Sequence, residues 1–410
     1  MPPELAVAAL PLVAAFLVTG FRRPMALLLP AYAVTVPFGS LLSTGLSPPW
    51  DSVSTWLGFA LVAALGARVL GGRSTSAPLP ATVPVWLLFL GLAGASALWS
   101  VSPQITQIAF RNLAILVVLY VVVALTPIDR PGLRRIETAI LLGGVAAAAY
   151  GIFQFVTGTL PVSVEGGGGG RFGRDLLGAN NTAAALVLPL AVALVRAVDG
   201  PTVGVRRAHA AAGAALLFAI LLTGSRGGLL AVAVCVVTAL VVVREGRARL
   251  GRYAAVAVLA VGLVLVVQPG GIGSRTDSTS SSGRVDVWKV GLHACQTHCL
   301  AGSGWGTFPR VYQLELPKVP DARILQRGVA YEPHNIWILI GVEAGVGGLL
   351  LVLLGLGVTV RHALRLPPEL RGPPLVALAG TLVASFFLSN FEYKFFWLTL
   401  TYVLLCRNLA

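Results

Sequence analysis

Apolar runs of membrane-spanning length recur along the whole chain, separated by short polar connections. They fall at about 4–20, 25–45, 53–70, 82–99, 105–125, 136–157, 181–198, 209–224, 227–243, 253–268, 335–360, 373–389 and 395–407. Most are long enough for a helix to cross a bilayer. Stretches such as LAILVVLYVVVAL and LLAVAVCVVTALVVV show none of the two-residue alternation of a membrane β-barrel strand. The pattern predicts an all-α polytopic membrane protein of about 12–14 transmembrane helices. It has a bundle over 1–268, one large extracytoplasmic loop with short helices over 269–334, and C-terminal spans over 335–410.

Composition agrees. Of 410 residues, 56% are hydrophobic and 11% charged, and the mean hydropathy is +0.84. A soluble domain carries about 25% charged residues, so an ordinary cytosolic enzyme is excluded. The net charge of +14 would suggest nucleic acid in a soluble chain; here it asks which side of the membrane the cations occupy. Alternate connections answer. One set holds 18 of the 30 basic residues, among them Arg22, Arg68, Arg130, Arg134, Arg196, Arg206, Arg249, Arg361 and Arg407, and is expected in the cytoplasm. The opposite set comprises 46–52, 100–104, 158–180, 224–227, 269–334 and 390–394; its short members are nearly free of Lys and Arg, which puts them outside. The chain opens on MPPEL, with Arg22 and Arg23 after the first span, the reverse of a secretory signal, so no cleaved signal is expected. The glycines Gly166 to Gly170 read as a mobile hinge or a plain linker. No internal repeat of the kind that builds inverted-repeat transporters stands out.

Twelve basic residues remain, on or near the outer face. Arg226 sits in the tight turn LLTGSRGGLLA, and Arg111 lies about two turns inside the fifth span. A lone Arg near a helix end usually snorkels to lipid headgroups. Several together suggest more, because guanidinium presents a fork of donors that matches phosphate oxygens and the Gly-flanked helix start at Ser225–Gly228 adds a positive dipole end. An outward-facing pyrophosphate site is the expectation. His334, in YEPHNIWILIGVEAGVGG, is the candidate titrating group, with Pro333 expected in the first turn of a helix. Glu343 lies nine residues further on, inside the hydrocarbon region, and should pair with an Arg or a backbone donor.

No metal is expected, since the sixteen acidic residues are scattered and include no Asp-x-Asp. His293, Cys295, His298 and Cys299 lie close together in the outer loop, but their spacing matches none of the usual zinc patterns. Cys295 and Cys299, four apart, could be bonded or free. Cys235 and Cys406 read as small apolar residues.

Several of these segments resemble the bacterial O-antigen ligase and O-antigen polymerase superfamily. They are GSRGG at 224–228, Gly283-Arg284 followed by Trp288, HCLAGSGWGTF at 298–308, PHN at 333–335 and E-x-G at 343–345; GANN at 178–181, followed by Ala183, is similar to an Asn-containing motif that opens a span in that family. The resemblance runs from about 171 to 360. It implies a multi-pass glycosyltransferase of the GT-C type in the bacterial inner membrane, with its active site on the extracytoplasmic side and neither metal nor cofactor. Such an enzyme moves a glycan from undecaprenyl pyrophosphate to a hydroxyl of a lipid or glycan acceptor. A ligase, with lipid A-core as acceptor, is preferred to a polymerase. Carried onto this chain, Arg226 and Arg284 would bind the pyrophosphate and His334 would activate or orient the acceptor, with Asn180, Asn181, Asn335 and Glu343 in support. Arg111 is a candidate third phosphate contact on placement alone. The partners implied are the lipid-linked donor, the acceptor and the bilayer, with no nucleic acid. The rivals are a transporter or flippase for a lipid-linked glycan, which should place charges at the midplane, and a scaffold or receptor.

Overall fold

The computed structural model describes residues 14–47, 50–72, 77–162, 170–243, 246–252, 255, 283–322 and 331–410. The candidate span 253–268, residue 255 apart, and the Gly166–Gly169 run lie outside them. The described chain is helical: a segment over 14–22 precedes α1 (Leu28–Thr35), α2 (Val53–Leu70), α3 (Thr82–Ala95), α4 (Pro103–Ala124), α5 (Arg130–Val156), α6 (Ala179–Ala185), α7 (Val187–Asp199), α8 (Val203–Leu222), α9 (Arg226–Val242), α10 (Arg284–His298), α11 (Phe308–Glu315), α12 (Ile336–Arg365), α13 (Pro368–Ser385) and α14 (Lys394–Leu409). Five helices among the described residues are long and apolar enough to cross a membrane: α4, α5, the continuous α6–α7 unit, α8 and α12. Four shorter apolar helices accompany them. Each expected span from 25–45 onward, outside 253–268, coincides with a helix, give or take the terminal turn, and of the span 4–20 only residues 14–20 are described, as helix.

The helices pack through small residues, as apolar helices in lipid must when burial alone gives no preference for a partner. Gly380 of α13 lies against Cys235 of α9, and Gly143 of α5 against the backbone at Val34 of α1. Large apolar side chains such as Leu88, Leu142, Phe153, Val237 and Leu350 face outward. The interior is aromatic: Trp86, Phe89, Trp305, Phe391 and Trp397 meet edge to face or tilted at 5.2–6.5 Å between ring centres.

The connections sort into two groups. At one end Arg130 meets Glu369, Arg249 donates to Val198 O, Arg206 to Gly200 O and Arg407 to Pro78 O. There Arg196 also makes a forked bond to the buried Glu137 (2.8 Å and 3.2 Å), which accepts from Tyr402 at 2.6 Å. At the other end lie the turns 39–52, 96–103, 171–179, 222–226 and 386–394, together with α10, α11 and the 299–308 segment, joined by bonds such as Val101 N to Ser303 O at 2.9 Å and Phe172 N to Leu222 O at 3.1 Å.

The 299–308 segment departs from its expected place in an outer loop. It enters the bundle, where Trp305 is fully buried. The cause is a break in α12. Gly345 adopts φ 68°, ψ −172°, a conformation open in practice to glycine alone. The interrupted helix leaves its backbone groups free to bond the segment beside it. Ser303 N donates to Val342 O at 2.8 Å, Gly304 N to Glu343 O at 3.1 Å, and Val346 N to Cys299 O at 2.7 Å. The approach is close enough that a Cβ on Gly302 would collide with the Glu343 carbonyl. Cys295 and Cys299 are disulfide-bonded, with Cα atoms 4.4 Å apart, which fixes the residue from which the segment departs.

Candidate functional site

The residues singled out in the sequence, Arg111 excepted, lie at the end of the bundle opposite Glu137. Arg226 begins α9, whose cap is Ser225: its hydroxyl accepts from Gly228 N at 3.2 Å. Arg226 is exposed, and its charge reaches Arg284, the first residue of α10, whose cap Gly283 sits in the left-handed region (φ 74°). Burial and the neighbouring Arg226 lower the pKa of Arg284. Arg284 acts in turn on His334. Burial first, and the Arg284 charge second, hold this imidazole down at about 4, so it is uncharged at neutral pH. Arg226, Arg284 and His334 thus stand in series, and the two guanidinium groups give this end of the bundle a positive charge.

His334 is held with unusual backbone geometry. It has φ 47°, the only positive φ at a non-glycine among the described residues, and such conformations cost about 1–3 kcal/mol. The restraint comes from both sides. Trp288 of α10 donates its indole N–H to Pro333 O at 2.6 Å. On the other side Asn335 caps α12, its Oδ1 accepting from Trp337 N (2.9 Å) and Ile338 N (3.1 Å), while its Nδ2 donates to Phe386 O at 3.2 Å. Pro333 therefore precedes the helix instead of occupying its first turn: Asn335 can accept two N–H groups and makes the better start, leaving His334 on a strained turn before the cap.

Glu343 is buried and takes backbone donors, not an Arg. Its two carboxylate oxygens accept from Gly306 N and Phe308 N, each at 2.9 Å, so it ties the re-entrant segment to α12. Asn180 and Asn181 open α6. Asn180 accepts from Arg171 at 3.1 Å, and Arg171 also donates to Thr223 O at 2.6 Å, next to the turn that carries Arg226. Asn181 approaches the Tyr393 hydroxyl. Arg111 is not brought in. It lies on the exposed side of α4, whereas Thr106, Ala109 and Leu113 of that helix are buried, and its charge is felt by neither Arg284 nor His334.

Sequence reasoning missed a second group, carried by the 386–394 turn. Glu392 is pushed up to about 7 by burial and by its neighbour Glu332, with the nearby Trp305 indole offsetting part of the effect. Glu332, two residues before His334, is also raised, mainly by burial, and Ser389 approaches it. Asn390 is fully buried with neither side-chain amide atom in a well-formed hydrogen bond. A carboxylate in a short turn between two apolar spans, SNFEYK, was the available signal. The arrangement is thus two guanidinium groups and an uncharged imidazole beside two acidic groups whose pKa values burial raises. His293 is 3.6 Å from Glu315, and with both loop thiols in a disulfide no Cys ligand remains beside it.

A bundle of apolar helices with a charged site at one end makes this a polytopic all-α membrane protein. Residues 211–353, from α8 to α12, match the family model described as O-antigen ligase. Over this segment the chain is similar to the O-antigen ligase family, in agreement with the motifs that lie in it. The matched segment is roughly a third of the chain and contains Arg226, Arg284, His334 and Glu343. No match was found among curated proteins.

Proposed function

We propose that this protein is a metal-independent glycosyltransferase of the bacterial inner membrane. It moves a glycan from undecaprenyl pyrophosphate to a hydroxyl acceptor on the extracytoplasmic side. We favour an O-antigen ligase acting on lipid A-core over a polymerase acting on a second lipid-linked glycan. The observation that carries the reading is the series Arg226, Arg284, His334, each charge acting on the next at one end of the bundle. Two guanidinium groups bind the donor's pyrophosphate and stabilise it as it leaves. The bond between the anomeric carbon and the phosphate oxygen breaks, the acceptor oxygen bonds to that carbon, and its proton passes to the His334 imidazole. The charge that depresses His334 comes partly from Arg284, so a bound pyrophosphate would relieve it and make the imidazole a better base once the donor is in place. A transporter reading lacks support of this kind, since these charges gather at one end and not at mid-depth.

The experiment is transfer in proteoliposomes from undecaprenyl-pyrophosphate-linked glycan, with lipid A-core and a second lipid-linked glycan supplied separately. Product on the first acceptor supports a ligase and product on the second a polymerase. Arg226→Ala and Arg284→Ala should each reduce transfer by about 100-fold or more in folded protein. Wild-type turnover in either variant refutes the pyrophosphate site.

A further inference from the structure

A cavity of about 350 Å3 adjoins the site, sharing Glu392 and Tyr393 with it. That volume is at the small end of the roughly 300–1,000 Å3 of ligand pockets. Its walls come from three places in the chain: the Val36–Leu42 turn with Ser43, Asp51, Ser52 and Ser54, then Leu176 and Leu177 before α6, and the start of α14. They are held rigidly. Ser40 donates to Leu176 O through both its backbone N–H (2.8 Å) and its hydroxyl (2.6 Å). Ser43 pairs with Ser52 across a β-bridge, and Thr44 N donates to Asp51 O at 2.9 Å.

The polar groups on the wall have a definite chemistry. Lys394 would be the natural anion ligand, but its three ammonium protons are committed to Ser52 (2.6 Å), Ser54 (2.8 Å) and Thr55 (2.7 Å). The Asp51 carboxylate has no hydrogen bond among the described residues, and Glu392 is the second carboxylate on the wall. Two acidic residues on the wall and an ammonium already saturated are unsuited to phosphate. They suit a molecule rich in hydroxyl donors. Carboxylates accept from neighbouring hydroxyls, serine hydroxyls give and accept, and Leu176, Leu177 and Phe395 offer an apolar surface for C–H groups.

We infer that this cavity is a subsite for a pyranose ring of the glycan, so that the arginines hold the pyrophosphate while the acidic cavity holds a sugar. The inference rests on the transferase reading above. The sugar can arrive on the lipid-linked donor or on the acceptor; the chemistry is shared, and the test separates the two. Ser43 is an exposed cavity residue, so Ser43→Trp fills the space from its rim while Ser43→Ala removes only a hydroxyl.

Binding would be measured for the full chain in nanodiscs with undecaprenyl pyrophosphate, undecaprenyl pyrophosphate bearing N-acetylglucosamine, and a panel of methyl pyranosides, with thermal unfolding confirming that each variant folds. Ser43→Trp should weaken either the sugar-bearing lipid (donor subsite) or the best methyl pyranoside (acceptor subsite) by about tenfold or more, the equivalent of one or two hydrogen bonds. Bare undecaprenyl pyrophosphate should bind Ser43→Trp and Ser43→Ala as it binds wild type, whereas Arg284→Ala should weaken both lipids. If Ser43→Trp leaves every sugar-bearing probe within about twofold of wild type while Arg284→Ala still weakens both lipids, the subsite is overturned and the pyrophosphate reading survives. If Arg284→Ala changes neither lipid, it is the transferase reading that fails.

Discussion

Glu343→Gln tests how far the site depends on one buried carboxylate. Glu343 is 2% exposed and accepts from Gly306 N and Phe308 N, one per oxygen, at 2.9 Å each. Glutamine keeps the shape but offers one acceptor. Its amide NH2 would face a backbone N–H, so one hydrogen bond is lost and one buried donor is orphaned. A hydrogen bond contributes about 0.5–1.5 kcal/mol and an orphaned buried group costs about 1–3 kcal/mol; as the two overlap, about 1–3 kcal/mol of local stability should disappear. With 1.4 kcal/mol per factor of ten, that is about 5- to 140-fold faster opening of the re-entrant segment. Hydrogen exchange followed by mass spectrometry of the 300–308 peptide reads this directly. The aromatic core beneath should remain protected, and transfer should fall because Trp305 no longer rests beside Glu392. Unchanged exchange at Gly306 and Phe308 would refute the view that Glu343 fastens the segment.

Three more outcomes are expected. His334 has a folded pKa near 4 against an ordinary 6.5, so the unfolded chain binds the extra proton first; the stabilising contribution of the neutral imidazole is full above about pH 6.5 and is lost as pH falls towards 4. Thermal unfolding of His334→Asn should therefore lose less stability than wild type across that window, and Arg284→Ala should raise the titration midpoint of His334 measured by NMR; identical midpoints would exclude Arg284 as a cause. Gly345→Ala places a Cβ 2.7 Å from Leu300 O at a positive φ, and should lower the thermal stability of the purified protein by about 2–4 kcal/mol, more than Gly357→Ala in the same helix, where a Cβ meets open space; equal effects would show that the break in α12 is not required.

Hydrophobic runs alone determined that the chain crosses a membrane many times, and where nearly every described helix lies, because a bilayer demands an apolar segment of fixed length whatever its neighbours are. The order of small motifs likewise marked Arg226, Arg284 and His334, since Arg in a tight turn and His at a helix mouth are costly placements in an otherwise apolar chain. Tertiary structure decided what those runs leave blank. Lipid-facing and core-facing positions are equally apolar, so no pattern revealed that Gly380 meets Cys235, that Arg111 points away from the site, or that Trp305 leaves its loop for the aromatic interior. The gathering of Glu332 with Glu392, and the cavity lined by residues 36–43, 51–54, 176–177 and 392–395, depend on segments far apart in the chain being brought to one end of the bundle. That is fixed by small-residue packing between helices and by the break at Gly345, which lets a distant segment bond to the middle of a span.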